Sequence, residues 1–201
     1  PADALLPWDA QLAKSAAYIA VRRIAATAQL SALSARVQAV LAAGETLSLS
    51  YEMAHAPAGL LTLKDGMTKR LELWYNEMLE EGRTRDIARA ATGVGPHLDD
   101  LVLVTAGMNL RSYGSQGQQR TGALALKLAE LFYLRENVGE SPILLLDDVM
   151  SELDADRRAA LLSFIRSEEI QTFITATDAA YFPSERMGTY RYVEHGQIRE
   201  M

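Results

Sequence analysis

The stretch Ile143-Leu144-Leu145-Leu146-Asp147-Asp148, with Ser151-Glu152-Leu153-Asp154 two residues further on, decides the fold. Four apolar residues of strand-forming character end abruptly in two adjacent carboxylates. A buried strand that ends this way delivers acid groups to the mouth of a nucleotide site. Asp147 there can hold Mg²⁺, usually through water, and Asp148 can orient or deprotonate a water that attacks a γ-phosphate. The same residues also fit a core strand that closes in a solvated acidic turn.

Upstream, Ser115-Gln116-Gly117-Gln118-Gln119-Arg120 precedes an apolar helical pattern at Leu124, Leu128, Leu131 and Leu134. Small and polar residues at a helix start leave backbone N–H groups able to face a phosphate. Ser115 adds a hydroxyl, and Gly117 permits close backbone approach. An ordinary Ser N-cap fits these residues as well. The order of the pieces carries more than either one: a Ser/Gly/Gln loop opens a helix, a buried strand follows, then Asp-Asp and Ser-Glu-Leu-Asp.

In that order the motifs resemble those of the RecF family of ABC-type DNA-repair ATPases. Ser115 to Arg120 is similar to the signature loop in its SQGQQR form. Ile143 to Asp148 is similar to the Walker B strand, and Ser151 to Asp154 to the D-loop. Gly95-Pro96-His97-Leu98-Asp99-Asp100 resembles the family's GPHRDD element, and Gln171 to Asp178 the strand that ends at the switch position. Leu98 stands where the family usually has Arg. No G-x-x-x-x-G-K-[ST] loop occurs in the chain, and it begins with Pro1. The resemblance therefore implies a C-terminal fragment that lacks the Walker A part.

The resemblance implies an α/β fold, an ABC-ATPase-like head of the P-loop NTPase type in its C-terminal half, with a mainly helical arm lobe. Residues 1–93 are expected to form the arm and residues 94–201 the head part. In the family two heads sandwich ATP, so Ser115, Gln116, Gly117 and Gln118 are expected to meet the partner's nucleotide. Asp147 is expected in the Mg²⁺ shell and Asp148 as the catalytic group, where most ABC ATPases carry Glu. Ser151 and Asp154 fall in the D-loop. Thr177 occupies the switch position where many relatives have His, so slow hydrolysis is expected, and none from the fragment alone. Implied partners are gapped or single-stranded DNA, a second copy in the presence of ATP, and RecO and RecR with the recombinase, in the cytoplasm. Another ABC-type head, nuclease-associated or from chromosome maintenance, is the alternative. A non-catalytic interaction module is a third.

Composition agrees with a soluble globular chain: 201 residues, 49% hydrophobic, 23% charged, no cysteine. Cysteine-based disulfides and thiolate metal sites are excluded. No apolar run is long enough to span a membrane. A net charge of −6 argues against a protein that coats nucleic acid, though local basic clusters occur at Arg22-Arg23, Lys64 to Arg70, Arg83 to Arg89 and Arg157-Arg158. His55, His97 and His195 lack partners at metal-ligand spacing.

Trp8, Leu12, Ala16, Ile19 and then Leu30, Leu33, Val37, Leu41 predict one amphipathic helix over 8–43, with Trp8 in the core and Gly44 as its cap. Residues 46–53 alternate as a half-buried strand. A second helix is expected over 67–91, with Leu71, Trp74 and Met78 as its stripe and a break at Gly82. Residues 101–105 and 110–113 are expected to pair about a turn at 107–109. Helices are expected over 118–137 and 156–167, a strand over 172–175, and a terminal hairpin about Gly196. Alternating strands and helices predict a largely parallel sheet with helices on its faces. Apolar sheet surface is expected to lie bare wherever the N-terminal strands are missing.

Overall fold

The computed structural model describes residues 2–57, 59–61, 65–183 and 187–200; the expected basic residue Lys64 lies outside them. The chain divides into two compact units, residues 1–142 and 143–201. The first unit extends past residue 93 because the long first helix packs along the helices at 67–89 and 116–138.

In the first unit, α1 (Leu6–Leu41) runs without glycine, with Pro7 in its first turn, where a missing N–H costs nothing. It ends at Ala42, not Gly44. Its buried face is Ala13, Ala16, Ala17, Ala20 and Thr27, then Leu33, Ser34, Val37, Gln38 and Leu41. The first of these sets is turned one position from the expected stripe. Trp8 is 72% exposed, and Leu12 and Ile19 also face out. Alanines let α2 (Met67–Arg89) approach closely, so its own large residues Leu71, Trp74, Tyr75 and Leu79 fill the space between. Trp74 and Tyr75 stack at 4.8 Å, tilted by 59°. Arg83 donates to Asp9 through Nε at 3.1 Å and Nη2 at 3.0 Å, fixing the start of α1 against α2. Gly82 does not break α2. It is buried within the helix, where an added Cβ would lie 3.1 Å from the Arg85 guanidinium.

Strand β1 (Ser48–Glu52) pairs antiparallel with β2 (Asp100–Thr105), with Leu49 opposite Leu103 and Tyr51 opposite Leu101. The Leu49 N–H donates to the Ser31 hydroxyl at 2.9 Å, tying β1 to α1. Beyond a turn at Ala106-Gly107, both with positive φ, β3 is only Met108–Asn109. Residues 110–113 are not the expected strand. They form the short helix α3 (Leu110–Tyr113), because the Asn109 side chain caps the Ser112 N–H at 3.2 Å. Helix α4 (Gln116–Val138) buries Leu124, Ala125, Leu128, Ala129, Leu131 and Phe132, and closes at Gly139 in the left-handed region.

In the second unit, β4 (Leu144–Leu146) pairs parallel with β5 (Thr172–Ile174), Leu146 opposite Ile174. The crossover runs through α5 (Val149–Glu152) and α6 (Ala155–Ser167), which buries Leu161, Leu162 and Ile165. Leu144 and Leu146 are buried, but Leu145 and its register partner Phe173 are 72% and 59% exposed. One face of this pair is therefore buried, and the other is apolar and exposed. A terminal hairpin, β6 (Arg191–Glu194) with β7 (Gln197–Glu200), turns through His195 and Gly196, both at positive φ as a two-residue loop requires. Among the described residues β4–β5 is the one parallel pair and the other pairings are antiparallel. The expected largely parallel sheet is not present, because parallel pairing needs a crossover and the first unit joins β2 to β3 by a tight turn.

The packing face of α1 yields a direct comparison. Ala17→Leu, at a fully buried contact, should cost about 1–3 kcal/mol by overpacking. Trp8→Ala should change stability by less than about 0.5 kcal/mol. Urea unfolding of the two variants measures both.

Candidate nucleotide site

The acidic pair sits where β4 ends. The Leu146 carbonyl accepts from the Thr175 N–H at 2.9 Å, extending the parallel ladder one residue beyond Ile174. The Thr175 hydroxyl donates to Asp147 Oδ1 at 2.5 Å and accepts the Asp148 N–H at 3.0 Å. Asp148 then turns into the left-handed region, with φ 49° and ψ 20°, and caps the start of α5. Its carbonyl accepts from the Ser151 N–H at 3.2 Å. The Ser151 hydroxyl lies 2.8 Å from that same carbonyl and 2.9 Å from Asp148 Oδ2. Asp148 Oδ1 is buried without a hydrogen-bond partner. A buried carboxylate oxygen in that state leaves an acceptor for a donor such as water.

Asp147 is exposed, so its carboxylate is accessible from solvent. No group of three or more His, Cys, Asp or Glu among the described residues could hold a metal alone. Mg²⁺ asks for one or two protein carboxylates and takes its other ligands from water and phosphate. An exposed Asp147 fits an ion that arrives with a nucleotide.

Of the remaining expected residues in this unit, Ser151 touches Asp148 directly. Asp154 caps α6, its side chain accepting the Arg157 N–H at 2.9 Å. Thr177 is exposed. Next to it, Asp178 caps a short 3₁₀ turn, Ala179–Tyr181, by accepting the Ala180 N–H at 2.8 Å. Thr175, which binds both members of the acidic pair, is the functional residue that sequence reasoning missed. Its only local signal is a hydroxyl at the end of an expected strand, and the register that brings it to the acidic pair comes from the fold.

The loop expected to meet phosphate belongs to the first unit and opens α4. Ser115 is its N-cap. The Ser115 Oγ accepts the Gln118 N–H at 3.2 Å, and Gln118 Oε1 accepts the Ser115 N–H at 3.0 Å, a closed capping box. Gln119 reaches back with Nε2 to the carbonyls of Leu110, Arg111 and Gly114 at 3.1–3.3 Å, holding α3 against the loop. Leu110 fills the angle between the two helices. An added Cβ would approach its Cδ1 to 2.6 Å at Gly114 and its Cδ2 to 2.4 Å at Gly122, so both positions require glycine.

The Gly95–Asp100 element is anchored on α1 and β1. Arg23 Nη1 donates to the Pro96 carbonyl at 2.5 Å. Asp99 accepts from the Tyr51 hydroxyl and, at 2.9 Å, from the Ala54 N–H. Burial, reinforced by the bond to Asp99 and opposed by Arg23, pushes the Tyr51 phenol up to about 12. Burial also raises the phenol of Tyr75, with the charge of Asp99 adding to it, and the Tyr75 hydroxyl is buried without a partner. Leu98, in place of the family's Arg, is exposed.

Several expected basic residues have partners within the chain. Arg83 binds Asp9, Arg85 lies 3.7 Å from Asp86, Arg157 lies 3.6 Å from Asp154, and the Arg158 guanidinium stacks on Tyr181 at 4.8 Å. The clusters seen in sequence are in large part structural. His97 Nε2 lies 3.3 Å from the Thr92 carbonyl, while His55 and His195 occupy turns at positive φ.

No protein-family model matches the chain. The DNA replication and repair protein RecF of Chloroflexus aurantiacus is 42% identical over 195 residues, covering 95% of this chain and 48% of that protein. A solved structure of the recombination mediator RecF with ATP, from the RecFOR pathway, superposes with a TM-score of 0.78 at 30% identity, over 99% of this chain and 50% of the other. A structure from work on ATP-driven dimerisation of SMC ATPases reaches a TM-score of 0.54 at 14% identity, a likeness of fold alone. The chain spans about half the length of the relatives it matches.

The two raised phenols set a pH dependence. The folded chain holds the Tyr51 proton up to about pH 12, whereas the unfolded chain releases it near 10. Stability from this site is therefore complete below pH 10 and lost as pH rises toward 12. The denaturant midpoint should fall through that window, and Tyr51→Phe should flatten the fall in part, with Tyr75 supplying the remainder. Urea titrations at pH 9, 10 and 11 check this, and a midpoint constant across that range would contradict it.

Proposed function

The chain belongs to the RecF family, whose C-terminal half it matches, and we propose that it supplies one part of an ATP-gated DNA-repair machine. The observation that carries the reading is the pair Asp147-Asp148, held at the end of β4 in a chain 42% identical to a RecF over nearly its whole length. Residues 1–93 serve as the arm lobe and residues 94–201 as the C-terminal part of the head. Asp147 would hold Mg²⁺, which supplies charge neutralisation on the transferring phosphate when bound. Asp148 orients the attacking water and takes up its proton.

The signature loop acts on a nucleotide held by a second copy. The N–H groups of Gln116 and Gly117, in the first turn of α4, are offered toward the γ-phosphate. Ser115 and Gln118 join them when their mutual bonds open. The positive end of a 23-residue helix favours an anion there by up to about 2 kcal/mol. Ser151 and Asp154, as D-loop residues, would meet a second copy, and Thr177 contributes a neutral hydroxyl where charge would speed the reaction. One nucleotide bridging two copies couples ATP binding to dimerisation, and hydrolysis removes the bridge. Gapped or single-stranded DNA is the substrate of the assembled protein, with RecO, RecR and the recombinase as partners.

Asp148→Asn in the full-length protein should lower ATP hydrolysis by about 10²–10⁴-fold while leaving ATP binding intact. Single-turnover hydrolysis with a parallel ATP titration separates the two effects. Undiminished hydrolysis would remove Asp148 from the role.

A further inference from the structure

One side chain binds the ends of both halves of the acidic turn. Thr175 lies one residue past β5, and its groups meet three consecutive residues of the neighbouring strand end. Its N–H donates to the Leu146 carbonyl at 2.9 Å. Its hydroxyl donates to Asp147 Oδ1 at 2.5 Å and accepts the Asp148 N–H at 3.0 Å. A hydroxyl has one proton to give and lone pairs to receive, so both bonds can exist together. A valine of nearly the same shape could make neither.

Geometry gives this arrangement a consequence. Asp148 occupies a left-handed conformation that is strained for a residue with a side chain, and such a turn persists only where its surroundings fix it. The Asp148 N–H points at Thr175, and its carbonyl and Oδ2 are met by Ser151. The bond from Thr175 to Asp147 meanwhile holds one oxygen of an exposed carboxylate. One rotor thus sets the direction of the first carboxylate and the backbone angle that aims the second.

We propose that Thr175 is a positioning residue for the acidic pair, fixing the orientation of Asp147 and the turn at Asp148 through its hydroxyl. The role rests on the reading of Asp147 and Asp148 given above, but the hydroxyl's hold on the turn can be tested without nucleotide. It is distinct from the switch role of Thr177, two residues on and exposed.

The experiment compares Thr175→Val, Thr175→Ala and Thr175→Ser with the parent. In the 201-residue chain without nucleotide, amide hydrogen exchange at Asp148 should quicken about tenfold in the Val and Ala variants, the equivalent of one hydrogen bond. It should return to the parent rate in the Ser variant. In the full-length protein, Val and Ala should lower kcat by about 10- to 100-fold and raise the Mg²⁺ concentration for half-maximal rate, as loss of an outer-shell partner does. KM for ATP should stay close to the parent value, and Ser should restore kcat and the Mg²⁺ dependence together. Unchanged exchange at Asp148 in both Val and Ala variants would overturn the proposal. So would a Ser variant as impaired as Val, which would assign the effect to packing of the methyl group. A parent protein that hydrolyses no ATP would sink the functional reading above and leave the exchange result to decide the hydroxyl's hold on the turn.

Discussion

Parallel pairing of β4 with β5 is the constraint on which the acidic site depends. Strands of three residues cannot hold a site by themselves. Their register, with Leu146 opposite Ile174, brings the residue after each strand into contact. That residue is Thr175 on one side and Asp147-Asp148 on the other. A slip of one position would send Leu144 and Leu146 to the open face and carry the carboxylates away from the hydroxyl. The buried side chains Leu144, Leu146, Met150 and Leu161 make such a slip costly. Burial of a few aliphatic residues thus determines where two charges stand.

The first unit solves a different problem. Its loop at residues 115–120 is largely exposed yet held in place. The capping box between Ser115 and Gln118 fixes the start of α4, while Gln119 donates to carbonyls of α3 and of the loop between the helices. Leu110 fills the space that Gly114 and Gly122 leave. Backbone N–H groups at the first turn are then held toward solvent by side chains of neighbouring residues. The long α1, with alanine against α2 and larger residues toward its C-terminal end, is the beam against which this arrangement rests.

The legible parts of the molecule were those encoded locally. The Ser-Gln-Gly-Gln-Gln-Arg run and the apolar strand ending in Asp-Asp each declare themselves within a few positions. The strand at β1, though not its pairing, and the terminal hairpin about Gly196 were legible for the same reason. The phase of α1 was not. Large residues at Trp8, Leu12 and Ile19 imitate a core stripe, and the alanines one position away match the same period with a weaker signal. Only the bulky face of α2 determines which set is buried. Residues joined across long separations were equally hidden. Arg83 meets Asp9 and Tyr51 meets Asp99 through tertiary packing that no spacing reports. Thr175 belongs to this class, since its importance follows from a register between strands nearly thirty residues apart. The helix at 110–113 was mistaken for a strand because a single Asn cap outweighed the preference of the apolar residues around it.

If these residues form one part of an ATP site, they need a phosphate-binding loop, and no G-x-x-x-x-G-K-[ST] motif occurs in the chain. Calorimetric titration of Mg²⁺·ATP tests that dependence most directly, on the 201-residue chain and on the full-length protein under the same conditions. The account predicts saturable binding to the full-length protein and no measurable heat from the chain alone. Tight binding of ATP by the chain alone would contradict it.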